Sequence, residues 1–179
     1  MTSHKSKKIS PVDMAIIAEL TKNSRQSDRL LAKKLHASQP TITRRRGALE
    51  KEGLLDYTAS TDLVKLGYQI MAITLGNRAS HPEHPKLQTE KIDDFVKKHS
   101  QLIFAASGAG LGADRVLVSV HKNYADYVGF MGEFRSEWTD FITVVGSFLI
   151  SLTSDDIPKR LNLKSLVQSI EKNHKETGA

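Results

Sequence analysis

The sequence predicts an α+β chain in two parts, three short helices followed by a β-α-β-β-α-β unit. Three observations predict it. Apolar residues recur at three- and four-residue spacing in the first third, and in strand-like runs at 70–75, 102–106, 115–120 and 141–152. Ser10, Ser27 and Ser38 each stand as an N-cap before one of the first three periodic stretches. The charge also divides. Residues 1–60 hold 12 Lys+Arg against 6 Asp+Glu and residues 61–179 hold 14 against 14, so the whole excess of +6 lies in the first third.

The first helix is expected from Pro11 to Lys22, with Val12, Ile16 and Leu20 as its buried stripe. Asn23-Ser24-Arg25-Gln26 interrupts the pattern. A second helix runs from Asp28 to Leu35, with Leu31 and Leu35 facing inward and Asp28 complementing the N-terminal dipole. His36-Ala37 makes a tight turn. The third helix begins after Ser38, tolerates Pro40 in its first turn and stops at Gly53. At about 100° per residue Ile42 and Leu49 share its buried face, Arg44 points away, and Arg45 and Arg46 fall on the shoulders. Gly47 and Ala48 keep the outer side low.

An apolar back with Arg and small residues in front suits the major groove of DNA, although a run of three arginines alone can be a solvated basic face. The preceding helix and short turn favour a helix-turn-helix. A basic module joined to a neutral one is the charge pattern of a nucleic-acid reader with a second job. Residues 54–62 read as two short extended runs suited to a β-wing.

The chain has 179 residues and no Cys, which excludes a disulfide scaffold and thiolate metal sites and fits a reducing compartment. Its longest apolar run, Phe141 to Leu152, is broken by Thr143, Gly146, Ser147 and Ser151, so no membrane partner is expected. Met1 to Lys8 carries Lys5, Lys7 and Lys8 without a following apolar signal core. We read it as a disordered basic arm that either tracks phosphates or solubilises, in a cytoplasmic protein.

In the second part, Gln69 to Leu75 reads as a strand and Gly76 to Pro85 as a loop. Thr89 caps a helix to Lys98 with Ile92, Phe95 and Val96 on one side. Strands follow at 102–106 and 115–120. Asn123 caps a helix from Tyr124 to Trp138 with Tyr127, Val128, Met131, Phe134 and Trp138 inward, and Phe141 to Leu152 is a long last strand. This order is the ferredoxin-like split. A tail helix is expected after Ile157 through Leu163, Leu166, Val167 and Ile170.

Few residues offer other chemistry. Ser107 to Asp114 has glycines mis-spaced for a dinucleotide fingerprint and precedes a strand where a helix is required, so a flexible β-β connection is the simpler reading. His81 and His84 flank prolines with Glu83 nearby, and surface loop residues are expected there in place of a metal site. His99 and His121 lie at element ends. No nucleophile triad or carboxylate pair is arguable, and no catalytic residue, metal or cofactor is expected.

The pattern Asp13…Ile16…Leu20…Asn23-Ser24-Arg25…Ser27…Leu31-Ala32…Leu35…Ser38…Thr41…Arg44-Arg45…Leu49-Glu50…Glu52-Gly53…Tyr57…Asp62…Leu66-Gly67-Tyr68 resembles the leucine-responsive regulator (Lrp)/AsnC family. The resemblance is dense over 12–68. It departs at Arg46, where the family usually has an apolar residue, leaving either an extra DNA-facing charge or a loosened helix.

The resemblance implies a transcriptional regulator, not an enzyme. It implies a winged helix-turn-helix at 10–62, a linker at 63–68 and a ferredoxin-like oligomerisation and effector domain at 69–154, followed by a C-terminal helix and tail at 155–179. The expected partners are double-stranded DNA, a second copy of the chain in a homodimer or larger assembly, and a small-molecule effector such as an amino acid. DNA contact is expected from Gln39, Thr41, Thr43, Arg44, Arg45 and Arg46. The effector is expected at the turn carrying Gly110, Gly112 and Asp114, although Ala113 stands where the family has an aromatic. A second resemblance by layout, to the sirohaem decarboxylases, implies a tetrapyrrole enzyme using His84, His99, His121 and Arg115.

Overall fold

The computed structural model describes residues 9–78, 94–138, 141–159 and 163–170. They fall into two compact units, one drawn from Met1–Ser60 and Lys159–Ala179, the other from Thr61–Pro158. Lys5, Lys7, Lys8, His81, Glu83, His84, Thr89 and Ile92 lie outside the described residues.

The first unit holds α1 (Pro11–Lys22), α2 (Asp28–Lys34) and α3 (Gln39–Lys51). Each begins on the expected serine. Ser10 and Asp13 form a reciprocal capping box, Ser27 accepts from the Leu30 amide, and Ser38 accepts from the Thr41 amide. α2 stops one residue early because Leu35 leaves helical geometry to serve as the C-cap. His36 then takes a left-handed φ of 50° and turns the chain into α3. Ile16, Leu20, Leu31, Ala32, Ile42 and Leu49 form the core, and full burial of each large aliphatic contributes about 1.5–3 kcal/mol. Val12, expected on the same stripe, is exposed at its outer end.

The expected β-wing does not form a ladder. Residues 55–62 carry no strand, because their contacts run back to α3: Leu54 and Leu55 donate their amides to the Leu49 carbonyl, and the Tyr57 hydroxyl donates to Glu50. The C-terminal stretch is also less regular than its pattern. A 3₁₀ turn at Lys164–Leu166 leads into helical residues 167–170, with Val167 buried but Leu163 and Leu166 exposed.

In the second unit, residues 63–67 form a turn closed by the Tyr68 amide on the Leu63 carbonyl. Then come β1 (Ile70–Arg78), helical residues 94–98 (α4), β2 (Leu102–Gly110), β3 (Ala113–His121), α5 (Tyr124–Trp138) and β4 (Ile142–Ser151). The sheet is antiparallel throughout, in the order β2-β3-β1-β4. Phe95, Leu102, Leu117, Phe130, Met131, Phe134 and Trp138 form the core between the helices and one sheet face. Phe130 takes the inward place expected of Val128, and Val96 faces out.

Two expected loops are strand. Gly76 to Arg78 extends β1, which lies between β3 and β4 and so receives ladder partners on both sides. Gly76 sits at a bulge where a Cβ would come within 2.8 Å of Ile142 Cγ2 and 3.1 Å of the Thr143 carbonyl oxygen. Ser107 to Gly110 likewise completes β2, and the supposed flexible connection shrinks to Leu111-Gly112, both at positive φ (53° and 70°). Two such residues make the tight turn whose twist matches a hairpin.

Candidate nucleic-acid interface

α3 owes its placement to the turn before it and the two buried residues behind it. Ile42 and Leu49, seven residues apart, are both buried against α1 and α2. Gln39, Thr43, Arg44, Gly47 and Ala48 are exposed on the opposite side. Gly47 has nothing within 4 Å of where a Cβ would stand, so the middle of the helix presents bare backbone.

The three arginines are in three different situations. Arg44 is exposed and makes no hydrogen bond or ion pair with the described residues. Arg45 turns back to α1, where its Nη1 donates to Asp13 Oδ1 at 3.0 Å and to Ser10 Oγ at 2.9 Å. Arg46 is the most engaged. Its Nη1 donates to Asp28 Oδ1 at 3.1 Å and the Gln26 carbonyl at 3.2 Å, and its Nε to Glu50 Oε1 at 3.0 Å and the Tyr57 hydroxyl at 2.9 Å. Its guanidinium also lies 5.0 Å from the Tyr57 ring centre, in cation–π range. Arg46 therefore neither loosens α3 nor points outward; it ties α3 to the start of α2 and to the segment after it.

The threonines are oriented by neighbours too. Thr43 Oγ1 donates to Asp28 Oδ2 at 2.7 Å, and Thr41 Oγ1 lies 2.8 Å from Ser38 Oγ at the helix start. Asp28 thus joins Thr43 and Arg46 through its two oxygens.

These contacts set the local protonation. Burial pushes the Asp13 carboxyl up, but hydrogen bonds from Ser10 and Arg45 outweigh it and hold it below its ordinary range. Burial lowers the Arg46 pKa, and its hydrogen bonds with Tyr57, Glu50 and Asp28 more than reverse that. Burial and the bond to Glu50 raise the Tyr57 phenol. Behind them, Lys22 and Lys34 hold Glu19 down to about 2, and Gln26 Nε2 donates to the Glu19 carbonyl.

Asp13, Asp28, Glu50 and Tyr57 are the functional neighbours that sequence reasoning missed. The available signal was the four-residue spacing of Arg46 and Glu50, which places them on one helix face.

The expected effector residues lie at the β2–β3 hairpin. Asp114 Oδ1 accepts from the Arg78 amide at 2.9 Å, and the Gly112 carbonyl accepts from Asn77 Nδ2 at 2.7 Å. The turn is thereby fastened to the end of β1, with one oxygen of the Asp114 carboxylate engaged there. Gly110, at φ 151°, pairs with Ala113 across the turn. His99 and His121 are both buried under α5, His121 completely. Among the described residues no three His, Asp or Glu side chains cluster as metal ligands would, and no helix is long and apolar enough to cross a membrane.

Residues 9–56 match a protein family described as winged helix-turn-helix DNA-binding. The HTH-type transcriptional regulator LrpC of Bacillus subtilis is 40% identical over 67 residues, which is 37% of this chain and 46% of LrpC, so the match spans about half of that relative. The solved structure of B. subtilis LrpC superposes with a TM-score of 0.68 at 25% identity, covering 86% of this chain and all of LrpC's. An AsnC family transcriptional regulator from Agrobacterium tumefaciens (TM-score 0.67, 19% identity, 87% of this chain and 97% of that one) shares the fold. So does a Neisseria meningitidis regulator solved with L-Met (TM-score 0.67, 16% identity, again 87% and 97%). With the helix-turn-helix in its first unit and the β-α-β-β-α-β sheet in its second, the chain shares the two-part fold of these Lrp/AsnC regulators and carries a winged helix-turn-helix DNA-binding region at residues 9–56.

Proposed function

We propose that this protein is a transcriptional regulator that reads double-stranded DNA with α3 and works as a homodimer or an assembly of dimers. The observation that carries the reading is the sorting of the arginines: Arg44 is left without a partner among the described residues, on a helix face lowered by Gly47 and Ala48. Arg44 then reads a base edge in the major groove, with Gln39, Thr41 and Thr43 beside it. Arg45 and Arg46, occupied by Asp13, Asp28 and Glu50, hold α3 in place.

One such helix touches a few base pairs, so specificity requires two half-sites, about 34–36 Å apart if one helical turn separates them. The face of the sheet away from the helices supports self-association. It carries Phe104 and Phe148, which are 53% and 69% exposed. Phe104, Val118, Ile73 and Phe148 are successive register partners across that face, and contiguous exposed apolar surface is what an interaction site presents.

The N. meningitidis relative was solved with L-Met, whereas here Asp114 and Gly112 are already bonded to β1. We propose that the hairpin turn itself does not respond to amino acids. The tetrapyrrole reading is disfavoured because His99 and His121 are packed into the core and present no face to a substrate.

Selection of bound sites from randomised DNA, repeated with Arg44→Ala, tests the proposal. The wild type should enrich a roughly palindromic site. The variant should bind it more weakly by on the order of 1–3 kcal/mol and tolerate substitution at one position per half-site. Enrichment of the same motif with the same affinity by both proteins sinks the assignment.

A further inference from the structure

We infer that the cavity between α4, α5 and the β2–β3 half of the sheet is a binding site for a small monocarboxylic acid with an apolar tail and no α-amino group. The inference is independent of the DNA-reading proposal, because every residue it uses belongs to the second unit.

The cavity measures about 260 Å³. Its inner wall is apolar and largely aromatic, formed by Phe95, Leu117, Phe134 and Trp138. Space exists there because the β2 residues facing the helices after Leu102 are Ala105 and Ser107, opposite the larger Leu117 and Arg115 of β3. Volumes of this order lie just below the usual range of ligand pockets, about 300–1,000 Å³. At about 30 Å³ per displaced liquid water, the space accommodates roughly eight or nine non-hydrogen atoms.

Polar groups converge at one place only. Arg115 and Ser107 are cross-strand partners, and both line the cavity. Arg115 uses Nη1 on its neighbour Asp114, donating to the carbonyl at 2.6 Å with the carboxylate at 3.5 Å. Its Nε and Nη2 make no hydrogen bond with the described residues, nor does the Ser107 hydroxyl. Two unused guanidinium donors beside an unused hydroxyl match the two oxygens of one carboxylate.

The charge pattern also defines what is rejected. Among the described residues no Asp or Glu lines the cavity. The nearby Glu137 is paired with Lys98, at 2.5 Å, in an adjoining depression with Asp94 that lies beyond the shared Phe95 and Trp138. An ammonium entering the cavity would lose water and face the Arg115 guanidinium with no lining carboxylate to offset it, a cost that an amino acid carries and its des-amino analogue does not. Branched aliphatic and monocyclic aromatic acids fit the wall; amino acids and amines do not.

Trp138, the only tryptophan, lines the cavity and reports on it directly. The experiment is a titration of the full chain with isocaproate, which is leucine without its amino group, followed by Trp138 emission. L-leucine and isoamylamine serve as matched controls. The expected result is a saturable change with isocaproate, with both controls at least about tenfold weaker, isoamylamine because it lacks the charge-assisted hydrogen bonds and L-leucine because it must bury an unpaired ammonium. Arg115→Gln and Ser107→Ala should each weaken isocaproate by about tenfold, by the same magnitude. Ala105→Leu should abolish the response by filling the space. Absence of a saturable change, equal affinity for L-leucine, or an unaltered response in Arg115→Gln overturns the inference. Should Arg115→Gln fail to fold by circular dichroism, Ser107→Ala decides, and unchanged affinity there overturns it equally.

Discussion

Arg44 and Arg46 are two residues apart and share a formal charge, yet one is exposed and the other is held by four hydrogen bonds. Arg46 has two carboxylates, a carbonyl and a phenol within hydrogen-bonding distance, and is about one-fifth exposed. Partly buried pairs of this kind contribute more than surface pairs, because removing one partner strands the others. Arg46→Ala should therefore cost about 1–2 kcal/mol in denaturant unfolding while leaving the salt dependence of DNA binding unchanged. Arg44→Ala should leave unfolding unchanged. A reversal of this pattern would mean that Arg46 faces the DNA. Leu111 offers a test of opposite sign. It is 86% exposed and held at φ 53°, which side chains with a Cβ adopt at a cost. Leu111→Gly should raise stability by about 0.5–1 kcal/mol, because glycine takes the left-handed geometry freely. A lower melting temperature would show that Leu111 contributes a contact.

At the scale of elements, the β1–β4 bulge and the α5–sheet contact each depend on one residue. Gly76→Ala places a methyl 2.8 Å from Ile142 Cγ2 and 3.1 Å from a backbone oxygen that cannot swing away. Overpacking of this kind costs about 1–3 kcal/mol, measurable as a fall in the unfolding midpoint. His121 is fully buried beneath Tyr127 and Phe130, with Nε2 on Ser119 Oγ at 2.8 Å and Asp126 Oδ2 3.9 Å from Nδ1. Burial lowers its pKa, against a smaller opposing pull from Asp126. The unfolded chain then takes up the proton first, so stability is full above 6.5, the ordinary value, and declines as pH falls below it. His121→Gln should flatten that decline in a series of thermal melts; an identical pH profile would place its cause elsewhere.

The same elements show how far the sequence could be read. Caps, periodicity and the Ile42/Leu49 back face placed the three helices to within a residue or two, since those signals are local. Gly76 to Arg78 and Ser107 to Gly110 were hidden because glycine and polar residues read as loop, and only neighbouring strands make them β. The partners of Arg45 and Arg46 were hidden for a related reason. Helical angle says where a side chain starts, not which carboxylate of another helix it reaches.

For the whole molecule, the exposed sheet face makes the most direct prediction. Phe148, 69% exposed at the centre of β4, pairs across from Ile73 of β1 on that face. Phe148→Glu should shift the protein to monomer in size-exclusion chromatography with light scattering, and weaken binding to a two-half-site DNA far more than to one half-site. An unchanged assembly would place the interface elsewhere. The path of the chain carries a further consequence. The first unit takes residues from both ends of the sequence, and Val167 near the C-terminus is buried. In topological terms the sheet unit is a guest inserted into a host, spliced in at two junctions. Exchanging sheet units between relatives by a single crossover after residue 60 would strip the host of its returning segment, whereas a double crossover that keeps it would transfer the guest whole.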